Sequence, residues 1–307
     1  MYIGENEIQK IYAGTEEVSK IYFGTDVIYS GGTEPTPDYA SMYFTFEILS
    51  GGTIQLMKSS TVSDVYYKLN DDSWETLATA INVETGDIVH FKGNNGAYDS
   101  SYFDVSTSVF IVYGNIMSLI YGDNFQNQTT LESANTFFYL FRACTGLTDA
   151  SNLILPATTL TQSCYNAMFI GCTGLTSAPA LPATTLAERC YLSMFESCWS
   201  LTTAPELPAT TLASYCYKQM FNGCSSLTQA PELPATTLPN YCYDGMFSGC
   251  TNLNYIKCLA TVIASKSTRN WVSGVASSGT FIKNPNMSSW TTGVNGIPEG
   301  WTIIDVS

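Results

Sequence analysis

Apolar positions in the second half of the chain recur with one long period. The block Cys164-Tyr165-x-x-Met168-Phe169-x-x-Cys172 returns at 190–198, 216–224 and 242–250, each 26 residues after the last. Between the blocks runs Leu-Thr-x-Ala-Pro-x-Leu-Pro-Ala-Thr-Thr-Leu, at 175–186, 201–212 and 227–238. Self-similarity at this period marks a repeat architecture, in which one unit cannot bury its own apolar face and neighbours bury each other's. Each unit predicts a short extended piece with Leu175 and Ala178 inward and a turn forced by Leu181-Pro182. A short amphipathic helical turn then places Cys190, Met194 and Cys198 (i, i+4, i+8) on one face. A degenerate copy, Leu140-Phe141-x-x-Cys144-x-x-Leu147, precedes the array, with Thr136 where later copies have Cys. The register fades after Leu259. Atypical terminal copies are what a stack needs to cover its open ends.

The first 30 residues hold a second, shorter repeat. Tyr2-Ile3-Gly4, Tyr12-Ala13-Gly14 and Tyr22-Phe23-Gly24 fall ten apart, and each decapeptide predicts strand, Gly-Thr turn, strand. So small a piece cannot fold alone. Tyr2, Ile11, Tyr12, Ile21 and Tyr22 are therefore expected to anchor the chain by packing on another protein or another copy. The Gly- and Pro-rich stretch at 31–38 predicts a linker. Residues 39–125 read as all-β. Tyr43-Phe44-Thr45-Phe46 opens a strand, 65–69 and 74–77 form a hairpin around Asn70-Asp71-Asp72-Ser73, and 87–92 and 109–113 continue it.

The expected fold is thus mainly β with short helices. Residues 1–30 form N-terminal β-hairpin repeats, 39–125 a small β-sandwich, 126–259 a leucine-rich-repeat solenoid and 260–307 a C-terminal cap holding Trp271, Trp290 and Trp301.

The 26-residue unit resembles the BspA-like leucine-rich repeats, whose Leu-Pro and Ala-Phe-x-x-Cys elements map onto Leu181-Pro182 and Met194-Phe195-x-x-Cys198. Residues 30–123 look like the β domain that often precedes such arrays, and 279–302 like their usual ending. The N-terminal repeat looks like segments that open phage structural proteins. The resemblance implies either of two settings. One is adhesion proteins on the surface of gut Bacteroides. The other is virion proteins of the phages that infect them, crAss-like phages included.

Charge narrows the partners. With 26 acidic and 12 basic residues the net charge is −14, and only 12% of the chain is charged. Nucleic acid and anionic lipid want clustered Lys and Arg, so neither is an expected partner. No run of about 18 apolar residues could span a membrane. The opening MYIGENEIQK has no basic and apolar regions of a secretory signal, so none is expected in the chain as it stands; processing could have removed one.

Candidate chemistry is sparse. Ten cysteines fall in two columns, Cys164, Cys190, Cys216, Cys242 and Cys144, Cys172, Cys198, Cys224, Cys250, with Cys258 apart. Eight helical residues put the two columns about 12 Å apart, beyond disulfide reach, and column neighbours point in parallel. Pairs two to four residues apart, which zinc prefers, do not occur. Reduced core cysteines are expected, with no metal and no cofactor. The single histidine, His90, reads as a strand surface residue and Asp71-Asp72 as a hairpin tip. Glu206 and Glu232 repeat at one position, either a solvated ridge or a weak cation site. No catalytic residue is assigned and the chain is not expected to be an enzyme.

The repeats supply an internal comparison. Positions flanking the first cysteine column vary most, and Trp199 replaces Thr173, Ser225 and Thr251 in a turn. Arg189, Trp199, Tyr215, Lys218 and Tyr241 would project from one side, either as drift on a free surface or as a ligand-binding face, since interfaces use aromatics and Arg as anchors. The sequence therefore predicts a phage virion structural or adhesion protein, a fibre or decoration component with a receptor-binding surface. It would be assembled in the host cytoplasm, joined to other virion proteins through residues 1–30, able to form a homo-oligomer, and directed at a host-surface glycan or protein. The alternative is a secreted or surface-anchored bacterial adhesin at the cell surface. A glycan-active enzyme is disfavoured because no pair of carboxylates lining a cleft can be read.

Overall fold

Gly14-Thr15 and Gly24-Thr25 are each flanked by a pair of short strands. Strand β1 (Ile11–Ala13) runs antiparallel to β2 (Glu16–Val18), with Ile11 opposite Val18. Strand β3 (Lys20–Phe23) runs antiparallel to β4 (Asp26–Ser30), with a register shift between Ile21 and Tyr22. The computed structural model describes these four strands by their backbone, and residues 37–306 apart from 61, 106–108 and 288–289 in full. Of the expected anchoring residues, Ile11 and Tyr12 lie on β1 and Ile21 and Tyr22 on β3. Tyr2 lies outside the described residues. The chain divides into two compact units, 1–38 and 39–307.

The second unit is mainly β, with one short α-helix among the described residues. It opens with β5 (Phe44–Ser50), β6 (Gly52–Met57), β7 (Val65–Leu69), β8 (Glu75–Thr76), β9 (Ile81–Val83), β10 (Ile88–Gly93), β11 (Tyr102–Asp104) and β12 (Val109–Asn115). One open sheet has the order β12-β5-β10-β7-β8, all antiparallel, and a smaller one has β6 between β11 and β9. Alternation fixes the faces, since successive residues of a strand point to opposite sides. Phe44, Phe46, Val89, Phe91, Phe110 and Val112 are fully buried, while Ile88, His90 and Lys92 face outward. Helix α1 (Ser118–Tyr121) follows. The larger sheet then runs directly into the repeats, because β13 (Leu147–Asp149) and β14 (Leu153–Ile154) pair in parallel with β12. Buried residues from Phe44 to Trp301 form one continuous core.

The expected helical turn at 190–198 is not helical. Alternate residues donate to the next coil: Tyr165 to Cys190 (3.0 Å), Ala167 to Leu192 (2.7 Å), Phe169 to Met194 (2.9 Å) and Gly171 to Glu196 (2.8 Å). The residues between them close turns within their own coil, such as Met168 to Tyr165 (3.3 Å) and Cys172 to Phe169 (3.1 Å). Every fourth residue is left-handed: Ser163, Ala167 and Gly171 at φ 56°, 52° and 74°, and likewise Arg189, Ser193 and Ser197 at 56°, 53° and 62°. A left-handed residue at that spacing breaks an α-helix of L-residues. The run is a chain of turns with a period of four, and half its N–H groups tie neighbouring coils together. That period, not 3.6, places Cys164, Met168 and Cys172 inward, with Tyr165 and Phe169 beside them, and all five are buried.

Two aromatic columns follow from the stacking. Tyr98, Phe137, Tyr165, Tyr191, Tyr217, Tyr243 and Trp271 succeed one another at centroid spacings of 5.7–6.3 Å. Phe103, Phe141, Phe169, Phe195, Phe221 and Phe247 do so at 5.1–6.1 Å. Each stacked pair adds about 0.5–1.5 kcal/mol beyond the area it buries. The first member of each column belongs to the β layer, which covers the N-terminal end of the stack.

At the other end the step shortens to 25 residues, the distance from Tyr241 to its left-handed equivalent Lys266, with Tyr243 donating to Ser267 and Phe247 to Trp271 (both 2.8 Å). Strand β15 (Thr237–Leu238) pairs with β17 (Val262–Ile263), and β16 (Tyr255–Cys258), β18 (Thr280–Lys283) and β19 (Thr302–Asp305) form a parallel sheet. Trp271 is fully buried and donates to Gly296 O (2.7 Å), and Trp301 donates to Ala276 O (2.8 Å).

Candidate functional site

The turn run carries the variable side chains on left-handed residues. Arg189, Tyr215, Tyr241 and Lys266 occupy the same position in four successive coils, at φ 56°, 62°, 60° and 61°. Three residues further along each coil stand Lys218, Asp244 and Arg269. Coil stacking brings the two columns side by side. Tyr215 and Tyr241 stack with centroids 4.8 Å apart and planes at 6°. The Arg189 guanidinium lies 5.0 Å and the Lys218 ammonium 5.7 Å from the Tyr215 centroid. Lys266 and Arg269 lie 5.5 Å and 5.6 Å from that of Tyr241.

One buried carboxylate organises this surface. Asp244 accepts from Arg269 through Nε (3.0 Å) and Nη2 (2.8 Å), and Lys218 Nζ is 3.4 Å away. Two parallel N–H···O bonds fix the guanidinium plane. Glu188, exposed beside Arg189 at 3.3 Å, is the other carboxylate. Four cations thus surround two rings against two carboxylates, on a chain whose net charge is −14.

Of the five candidates read from the sequence, Arg189, Tyr215, Lys218 and Tyr241 come together. Trp199 does not. It is 57% exposed at the far end of the turn run and enters none of these ring or cation contacts among the described residues. Asp244, Lys266 and Arg269 complete the cluster. Asp244 stands in the variable column, but one residue says nothing of its partners. Lys266 and Arg269 lie where the repeat loses a residue, so a strict 26-residue register misses them.

The cysteines offer no nucleophile. All ten are unpaired and buried. Burial pushes the thiols of Cys164, Cys216, Cys250 and Cys258 up to about 12. In the second column each thiol donates to a phenylalanine carbonyl of the preceding coil, as Cys172 to Phe141 O (3.0 Å) and Cys198 to Phe169 O (3.2 Å). The first column has hydroxyls at both ends. Thr136 Oγ1 donates to Ser133 O (2.6 Å) and Ser267 Oγ to Ala264 O (2.7 Å), each bonding back three residues.

His90 is half-buried, with Nδ1 2.8 Å from Thr45 Oγ1, and burial followed by Lys68 lowers its pKa. Glu232 pairs with Lys257 at 3.0 Å. Among the described residues no group of three or more His, Cys, Asp or Glu could hold a metal, and no helix is long and apolar enough to cross a membrane. Searches of family models, curated proteins and solved structures found no match to the chain.

Proposed function

We propose that this chain is a phage virion structural and adhesion protein, a fibre or decoration component. Its coils form a leucine-rich-repeat solenoid of BspA-like type that presents the Arg189–Tyr215–Tyr241 ridge to the host surface. Residues 1–30 anchor it to other virion proteins, and the chain binds rather than catalyses. The observation that carries the reading is the ridge itself. Bulky side chains stand on left-handed residues, where Gly or Asn would be cheaper by roughly 1–2 kcal/mol, while the buried columns beside them repeat almost unchanged. The four cations held around the stacked rings suit an acidic polysaccharide, with Arg forks meeting carboxylate or sulfate.

The test has two arms. Antibody against the coils is expected to label purified particles from infected gut Bacteroides cultures. Labelling only the surface of uninfected cells would make the protein a bacterial adhesin instead. Full-length protein is expected to bind dextran sulfate and polygalacturonate through the ridge, and more tightly than neutral dextran. A combined Arg189→Ala, Tyr215→Ala, Tyr241→Ala variant is expected to lose that binding while remaining folded. Undiminished binding would remove the ridge as receptor site. Deleting residues 1–30 is expected to leave the main thermal transition in place and abolish incorporation; normal occupancy would remove the anchoring role.

A further inference from the structure

The outward face of the larger sheet holds a second feature, remote in sequence from the ridge. A cavity of about 340 Å³, open to solvent, is lined by Tyr66, Trp74, Lys92, Gly93, Asn94, Gly122 and Asp123. Its volume lies at the small end of ligand pockets. Lys92 and Tyr66 are direct partners across the β10–β7 ladder, so both side chains stand on this face. Trp74 is set beside them by the 65–76 hairpin, and Asp123 by the turn after α1.

The polar groups form one connected set. Lys92 Nζ donates to both carboxylate oxygens of Asp123 (2.8 and 3.0 Å), and the Tyr43 hydroxyl donates to Oδ1 (2.7 Å). Lys92 also lies 4.4 Å from the Trp74 centroid, and Tyr43 meets that indole edge-on at 5.0 Å. The bonds from Lys92 and then Tyr43 hold the Asp123 carboxyl below its usual range, so it is ionised and accepts only. A carboxylate has about four lone-pair sites and an ammonium three hydrogens. These three bonds leave one acceptor on Asp123, whose side chain is still 63% exposed, and one donor on Lys92.

We propose that this pocket binds one neutral hexopyranose residue of a glycan. A vicinal diol needs what the pair has left, an acceptor for one hydroxyl beside a donor for the next. Asn94, exposed at the rim, adds one of each. Trp74 and Tyr66 supply an aromatic wall for the C–H face of the ring. The ion pair cancels its own charge, so the pocket selects against anionic sugars, unlike the ridge. The pocket stands on its own residues and does not depend on the ridge being a receptor site.

The test uses full-length ¹⁵N-labelled protein, whose five tryptophans give five indole signals, with the Trp74 signal assigned by its absence in Trp74→Phe. The probes are the methyl glycosides of glucose, mannose and galactose, with methyl glucuronide as the charged comparison, each titrated to about 50 mM, which detects Kd values in the millimolar range. At least one neutral glycoside is expected to shift the Trp74 signal saturably, and the glucuronide at least about tenfold more weakly. Asp123→Asn and Trp74→Ala are expected to weaken binding about tenfold or more, with thermal transitions close to the parent's. The ridge variant is expected to bind as the parent does. No saturable shift with any neutral glycoside would overturn the proposal. So would tighter binding of the glucuronide, or parental affinity in Asp123→Asn, the variant that keeps the shape of the site.

Discussion

Tyr215 lies flat on Tyr241, nearer and more nearly parallel than any pair in the buried tyrosine column. Both rings are half-exposed, so core packing does not press them together. Equivalent residues of adjacent coils are held at strand-like spacing, about 4.8 Å. The identical left-handed backbone aims both side chains the same way. The coil repeat is thereby converted into a flat aromatic platform flanked by cations.

That platform predicts coupled energetics. Tyr215→Ala and Tyr241→Ala keep the Cβ on a left-handed residue, so the backbone cost is unchanged and only the ring is lost. A double-mutant cycle on thermal or denaturant unfolding is expected to give a coupling of about 0.5–1.5 kcal/mol. Additive single effects would mean that the stack contributes nothing to the fold.

Asp244 predicts a ranking. Its carboxylate is buried between two cations, whereas the Glu232–Lys257 pair is exposed on both sides. Exposed pairs contribute little, and a charged group deprived of its bonds in a buried place is destabilising. Urea midpoints at constant m-value are expected to fall most for Arg269→Ala, which leaves the buried Asp244 carboxylate without its two guanidinium bonds, less for Asp244→Ala, which removes the buried charge itself, and least for Lys257→Ala. Added salt should abolish the Lys257 effect first. Equal midpoints for Arg269→Ala and Lys257→Ala would show that the bidentate pair behaves as an ordinary surface contact.

The repeat, its 26-residue step and the inward positions were legible because identity between units separates core from surface without any other sequence. The conformation of the turn run was not. Cys190, Met194 and Cys198 satisfy a helical spacing and a period of four equally well over nine residues. Tyr191 and Phe195, one residue further on, fall on the same helical face and do not break the tie; the left-handed residue at every fourth position does, and Arg189, Ser193 and Ser197 are not residues whose type announces it. Variation between units picked out five candidates, four of which the fold places side by side. Trp199 varies too, but at the other end of the run, and variation alone carries no distance. The pocket was invisible because Tyr66, Trp74, Lys92 and Asp123 are joined only by strand register and by the turn after α1.

Tyr165 predicts a stabilising change. Its ring sits in the buried column between Phe137 and Tyr191, and its hydroxyl is buried with no hydrogen-bond partner among the described residues. Leaving such a group unpaired costs about 1–3 kcal/mol. Tyr165→Phe keeps the ring and matches Phe137 in the preceding coil. It is expected to raise the thermal midpoint, whereas Met194→Ala, a cavity in the same core, should cost about 2–5 kcal/mol. A lower midpoint for Tyr165→Phe would mean that the hydroxyl is satisfied in solution.

The thiol columns predict alkaline instability. A buried thiol raised from 9.0 to about 12, as at Cys164 and Cys216, stays protonated in the folded chain, while an exposed one in the unfolded chain ionises near 9. Below pH 9 both states hold the proton, and the favourable term is fully present. As pH rises from about 9 towards 12 the unfolded chain binds fewer protons than the folded one, so stability falls, by up to about 1.4 kcal/mol per pH unit for each such thiol. Ten buried cysteines and the buried tyrosines all act in that direction. Unfolding followed by circular dichroism is expected to show a steep loss of stability above pH 9, reduced by Cys→Ala at one column position. Ellman titration should find no reactive thiol in the folded protein at pH 8. After unfolding without reductant it should find all ten. A plateau of stability from pH 8 to 11, or disulfides recovered by mass mapping, would show that the columns are not reduced ladders.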